Sequence, residues 1–348
     1  MSDPSLAHPL HPRRSSGILR GIDFCTHSAA FGGSLLLIAL LVILLVVVFQ
    51  GAYPTLSQFG LSFLYTSRWN PVTGVFGAWP FIYSTLITSA VALVIAFPVS
   101  LGSAIFLTKL APKLRIPVPA FFIGRQTPTG WTYITPRYIV AVASFLIELL
   151  AAIPSIAYGL WGIAVLIPIM QSYFQPFLGH TLGKLPLVGF LFASPSSGFN
   201  IFSASVVLAI MITPIITAII RDVLAVAPPE LEQGALGLGA TWWQAMKLVI
   251  GYSKMGIFGA VILGFARAMG ETMAVTMIIG NSKPNSYSLF EPGQTIASQL
   301  ANQFNNADTD AEVSALVCTA LVLLVITTLI NGVARVILMR VATGKKKP

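Results

Sequence analysis

The chain has 348 residues, of which 55% are hydrophobic and only 9% charged, with a formal net charge of +9, whereas soluble domains are about 25% charged. Its mean hydropathy is +0.83, more apolar surface than a soluble fold of this size can hide from water. The composition excludes disorder, the two cysteines Cys25 and Cys318 exclude a disulfide scaffold, and the continuous apolar runs exclude a β-barrel of alternating strands. What remains is an all-α integral membrane protein.

A spanning helix needs about 20 mostly apolar residues. Six stretches qualify: residues 29–50, 79–108, 138–170, 201–220, 255–280 and 313–338. The first is too long for the apolar core of a signal peptide and no small-x-small cleavage site follows it, so it is expected to stay as an anchor. Pro98 and Pro154 mark expected kinks in the second and third spans. Pro214 is expected to be absorbed in the fourth, where neighbouring helices can satisfy the freed carbonyl.

Charge placement gives the orientation. Sixteen of the twenty basic residues fall before span one, between spans two and three, between four and five, or at and after the end of six. Three, Arg68, Lys184 and Lys283, fall on the other side. The positive-inside rule then places both termini in the cytoplasm. The basic balance is a topology signal, so membrane lipid and not nucleic acid is the expected surroundings. The organisation expected is a cytoplasmic tail over residues 1–28, a six-helix domain over 29–340 with a cytoplasmic loop at 221–254, and a basic tail over 341–348.

The twentieth basic residue, Arg267, lies inside span five with Glu271 four residues on, which puts both on one helical face. Gly256, Ala260, Gly264 and Ala274 fall on the same face at 100° per residue, a stripe that lets another helix approach closely. Charges at bilayer depth are costly and normally face protein or water. Two readings stand: a self-neutralised pair that locks span five to its neighbours, or a pathway site in which the planar Arg267 fork meets an oxyanion. A third intramembrane charge, Glu148, lies about ten residues into span three, at a depth near that of Arg267, each about 15–18 Å in at about 1.5 Å per residue. It is a candidate counter-charge for Arg267, or a protonated or water-facing carboxyl near the kink at Pro154.

The loop after span four reads RDVLAVAPPELEQGALGLGATWWQAMKLVIGYSK. Pro228 and Pro229 suit a helix start, with Glu230 and Glu232 favoured by the dipole in the first turn. Gly237 and Gly239 turn the chain, and Thr241 can cap a second short helix through Trp242 and Trp243. Such a hairpin is either an interfacial element with aromatic anchors or a docking surface for a cytoplasmic partner.

The segment EQGALGLGAT within that loop resembles the cytoplasmic loop of ABC-importer permeases, whose pattern is Glu-Ala-Ala, three residues, then Gly. Gln233, Gly234 and Ala235 match the first three positions and Gly239 the last, with Glu232 adjacent. The chain departs from the pattern at Gln233, where Glu is usual, and at Gly251-Tyr252, where Leu-Pro often closes it. Four further stretches, TLITSAVALVIAFPVSLGSAIFLTKL (Thr85–Leu110), ELLAAIPSIAYGLWG (Glu148–Gly162), TPIITAIIRDVL (Thr213–Leu224) and GFARAMGETMAVTMIIGN (Gly264–Asn281), are similar to the PstC-type permeases of phosphate-specific ABC importers. The resemblance runs from about Phe59 to Arg340, excluding the loop 111–136, to which no role attaches.

The resemblance implies a subunit of an ATP-driven phosphate importer in the bacterial cytoplasmic membrane. It works with a homologous second permease of PstA type, a dimer of ATP-binding subunits and an extracytoplasmic phosphate-binding protein. It further implies that Arg267 and Glu271 lie on the phosphate path and that Glu232, Gln233, Gly234, Ala235 and Gly239 serve ATPase coupling. ATP and Mg would belong to the partner, since no G-x-x-x-x-G-K-[ST] occurs here. GHTLGKL at Gly179–Leu185 is one residue short of it. The histidines His8, His11, His27 and His180 have no metal-ligand spacing, and no nucleophile elbow is present, so no enzyme chemistry is expected. Rival readings are a permease for sulfate, molybdate or another oxyanion, a proton-coupled secondary transporter using Glu148 and Glu271, and a scaffold whose ion pair only packs helices.

Overall fold

The computed structural model describes residues 17–111, 116–119, 131–134, 136–186, 189–193, 197–284 and 286–343. The chain forms two compact units, Met1–Gly51 and Ala52–Pro348. The first holds most of helix α1, Gly17–Phe59, whose apolar stretch is long enough to span a membrane. The expected tail 1–28 is therefore helical from Gly17 onward, and its first sixteen residues lie outside the described part.

The second unit is built on α2, Trp79–Ile105, extended by a π-helical turn at Phe106–Leu110. There follow α3, Pro136–Ala152, and α4, a helical run over Ser155–Lys184 containing π-helical turns at Gly162–Leu166 and Met170–Phe174. Next come α5, Ile201–Ala225, α6, Pro229–Gly237, α7, Trp242–Met269, and α8, Met273–Ile278. The unit closes with α9, Ile296–Gln303, and α10, Asp310–Thr343. Among the described residues six helices are long and apolar enough to cross a membrane: those beginning at Phe24, Trp79, Ser155, Ile201, Trp242 and Asp310.

The six spans stand, but three of their bounds, in the third and fifth spans, change for physical reasons. The third span is not continuous from Tyr138. Pro154 has no N–H and sits extended, at φ −59° and ψ 139°, so α3 ends before it and the membrane-length run starts at Ser155. The fifth span begins at Trp242, because the helix capped by Thr241 does not stop after one or two turns. Thr241 Oγ1 accepts from the Gln244 N–H while Gln244 Oε1 accepts from the Thr241 N–H, a complete capping box. That span also ends early, at Met269, where Gly270 caps it. Lys247 and Lys254 thus lie within a spanning-length helix and not in a loop.

The core centres on α5, two-thirds buried along its apolar window and packed most extensively on α2. Ile212, Ile216 and Ile220 are fully buried there. The small-residue stripe of α7 meets α5: a Cβ on Gly256 would lie 2.5 Å from Val223 Cγ1, and one on Gly264 would lie 2.5 Å from Ile216 Cδ1. A second cluster joins Phe63, Trp69, Phe76 and Phe81 to α9 and α10. Pro214 is absorbed within α5, and at that turn the Ser100 hydroxyl of α2 donates to the Thr213 carbonyl.

One element lies outside the helical plan. In the loop after α2, β1 (Ile116–Pro119) and β2 (Trp131–Ile134) pair antiparallel, Ile116 opposite Ile134. Among the described residues this is the one sheet.

Candidate functional site

Arg267 sits in the last turn of α7. The helix closes as the Gly270 N–H reaches the Ala266 and Ala268 carbonyls, and Glu271 N–H still bonds Ala268 O at 3.3 Å. The backbone then breaks and restarts at Met273 as α8. Glu271 therefore stands at a helix break, and its Oε1 lies 3.5 Å from the Ala274 N–H. The break is held from behind by α4. Gly159 and Gly162 leave room for α8, since a Cβ on Gly159 would lie 2.6 Å from Met277 Sδ and one on Gly162 would clash with Ile278 Cδ1.

The geometry modifies the expected face. Gly256, Ala260 and Gly264 continue at four-residue steps to buried Ala268, so Arg267 lies at the border of the stripe. Its side chain is 52% exposed while that of Glu271 is 4% exposed, with Arg267 Nη2 and Glu271 Oε2 3.7 Å apart. That separation exceeds hydrogen-bond distance, so the carboxylate balances the guanidinium electrostatically and leaves its donors facing outward. Chemically, this is a cation held by a buried anion and presented to whatever passes its open face.

Glu148 does not join this site. With the chain broken at Pro154 it lies on α3, and its Oε1 is 3.4 Å from Arg221 Nη1 near the end of α5. Arg221 Nε also bonds Asp222 Oδ1 at 3.1 Å. The expected pairing of Glu148 with Arg267 is replaced by a pairing with Arg221.

The loop residues separate into two sides. Gln233, Gly234 and Gly239 are exposed and Ala235 is half-buried. Gly239 takes φ +84°, a left-handed conformation that suits glycine, and its N–H closes on Leu236 O. Val226 and Leu238 beside this helix are 84% and 91% exposed, apolar side chains offered outward. Glu232 faces the other way, onto Lys109 of the π-helical turn at 2.8 Å. The sequence reading missed Lys109, because a partner 123 residues away leaves no local pattern.

Residues 134–343 match the family described as "Binding-protein-dependent transport system inner membrane component". The phosphate transport system permease protein PstC of Mesorhizobium japonicum is 41% identical over 92% of this chain and 90% of that protein. The protein of the same name from Pasteurella multocida is 43% identical over 84% of this chain and 83% of its own length. A chain of the inward-facing MetNI methionine ABC transporter aligns with TM-score 0.49 at 16% identity, covering 79% of this chain and 99% of that one.

Proposed function

The chain belongs to the binding-protein-dependent transport system inner membrane components, a multi-pass transport subunit and not an enzyme, and on that footing we propose that it is the permease that passes inorganic phosphate in an ATP-driven importer. Membership implies a partner permease, an ATPase and a binding protein in general. The specific reading is a PstA-type permease beside it, a dimer of ATPases carrying ATP and Mg, and a phosphate-binding protein docking on the segments 51–78, 171–200 and 281–312. Both termini, with the tails 1–28 and 341–348, face the cytoplasm in this reading, on the strength of the charge asymmetry.

The observation that carries the site is the half-exposed Arg267 guanidinium beside buried Glu271 at a break between two helices. A guanidinium meets a phosphate through two parallel N–H···O bonds. Because the site must also release its ion, it is a transient station and not a tight trap. Glu271, as an acceptor, favours a phosphate that still carries a proton over fully ionised sulfate. ATP-driven closure of the ATPases displaces α6 and the turn after it through the exposed positions Gln233, Gly234 and Gly239 with Ala235 beneath. This shifts the bundle between inward and outward states.

The test is radiolabelled phosphate uptake into vesicles holding the whole complex, with ATP inside or absent, for the wild type and Arg267→Gln at matched expression. Uptake that needs ATP and is lost in Arg267→Gln is the expected result. Uptake that persists without ATP overturns the ATP-driven mechanism. Uptake of sulfate or molybdate in place of phosphate moves the cargo. Unchanged phosphate-over-sulfate preference in Glu271→Gln removes the role given to that carboxylate.

A further inference from the structure

The contact between Glu232 and Lys109 links the cytoplasmic helix α6 directly to the end of α2, beside the packing of α7 on α2. Helix α6, which carries Glu232, packs extensively on α7, which follows it in the chain. Lys109 ends α2, whose largest interface is with the buried α5. Between the two, Lys109 Nζ donates to Glu232 Oε2 at 2.8 Å, with the side chains only 15% and 12% exposed. This is a shielded, charge-assisted bond, shorter and stronger than a neutral one. Exposed ion pairs contribute little, because water screens them, and this one is not in that class.

Two features make the contact a discrete link. Lys109 stands in the π-helical turn Phe106–Leu110, a local widening of the kind often placed at functional positions in helices. On its other side a cleft of about 460 Å³ lies between this turn, α3 and α5, past Thr108, Lys109, Ser144, Arg221 and Asp222. The turn itself packs mainly on α2, α3 and α5, and the Lys109 side chain is what reaches from it to α6. Coupling between distant sites can be carried by such a physical chain of contacts.

We propose that the Lys109–Glu232 pair transmits displacement of the cytoplasmic helix α6 to α2, and through the α2–α5 interface to the membrane bundle. Glu232 then acts inward, while Gln233 and Gly234 face the ATPase. Lys109 is a positioning residue: it touches neither phosphate nor ATP and acts through Glu232. The inference rests on the transport reading above, and concerns how that transport is driven.

The experiment measures phosphate taken up and ATP hydrolysed in the same proteoliposomes, containing both permeases, the ATPases and the binding protein. The variants are Lys109→Gln, Glu232→Lys and the exchange Lys109→Glu with Glu232→Lys. Lys109→Gln is expected to keep hydrolysis measured without binding protein and to lower phosphate moved per ATP at least fivefold. Glu232→Lys alone is expected to lower the same ratio, and the exchange to restore it to within twofold of the wild type. A wild-type ratio in Lys109→Gln overturns the proposal. So does an exchange variant that assembles with the partner subunits in wild-type proportion and stays uncoupled. If either single variant fails to assemble, the exchange decides: assembly with recovered ratio supports the link, and continued failure counts against it. Absence of ATP-dependent phosphate uptake in the wild type would instead defeat the transport reading, so the two failures are distinguishable.

Discussion

Replacing Arg267 by Gln separates the two roles that an ion pair at a helix break can have. At 3.7 Å and an effective dielectric of about 20, the Coulomb attraction comes to about 4.5 kcal/mol. The Arg267 side chain is half exposed, which brings the pair toward the range of about 0.2–1 kcal/mol measured for exposed pairs. Burial of Glu271 holds it at the top of that range, so a coupling of about 1 kcal/mol is expected, close to fivefold in an equilibrium. The assay is a double-mutant cycle of Arg267→Gln and Glu271→Gln, read in parallel as thermal midpoint in detergent and as ATP-dependent phosphate uptake. Arg267→Gln leaves a buried carboxylate without its cation and should lower the midpoint by about 2 °C, which Glu271→Gln should repair by removing the stranded charge. Uptake should not be repaired, because no guanidinium remains to meet the anion. Two charge-assisted bonds at about 1.5–3 kcal/mol each make a loss of at least about tenfold the expected size. If the double variant recovered uptake together with stability, the pair would be a helix lock and Arg267 would not be the anion's ligand.

Gly264→Leu should destabilise the chain by at least about 1–3 kcal/mol through overpacking, since even its Cβ would meet Ile216, which is fully buried. Gly259→Ala, with open space around it, should be neutral or stabilising by up to about 1 kcal/mol, and equal midpoints for the two variants would refute the packing argument. Thr241→Ala should cost about 1 kcal/mol by removing the capping box, and Thr241→Ser should keep most of it. A thermal midpoint indifferent to both would show that the cap does not hold the start of α7. Lys283 donates to the Trp69 carbonyl at 2.6 Å, and burial lowers its pKa below 10.5. Between that lowered value and 10.5 the unfolded chain binds more protons than the folded one, so stability should rise with pH across this window. Thermal midpoints of Lys283→Met against pH should lack that rise, and an identical slope in the variant would assign it elsewhere.

The parts of this fold that sequence makes readable are those written in local terms. Twenty apolar residues in a row announce a span wherever they occur. Thr241 and Gln244 lie three apart and form the capping box their spacing suggests, and Pro229 opens α6 where proline's missing N–H costs nothing. The break between α7 and α8 was not readable, because hydropathy stays high from Met255 through Gly280 and a lone Gly270 is tolerated within many helices. The same continuity hid the separation of α3 from α4, although Pro154 marked the position. Pairing of intramembrane charges by estimated depth then failed, because Glu148 lies on α3, a helix separate from the membrane-length run that begins at Ser155.

Charge pairing across the chain carries the rest of the argument. Glu148 and Glu232 are both acidic residues on cytoplasmic or intramembrane segments of the sequence reading, and each finds a basic partner far away, Arg221 and Lys109 respectively. Their exposure sets them apart: Glu148 is 61% exposed and Glu232 12%. The Glu148–Arg221 pair is the more exposed of the two, so that bond breaks and reforms at smaller cost than a shielded one. The Glu232–Lys109 pair is shielded, and separating it without bringing water in costs more than separating an exposed pair. A motion of α6 is therefore cheaper with Lys109 carried along than with the pair broken. Physics of this kind favours movement of α2 with α6 and sliding between α3 and α5, a division of rigid and yielding contacts that follows from burial alone.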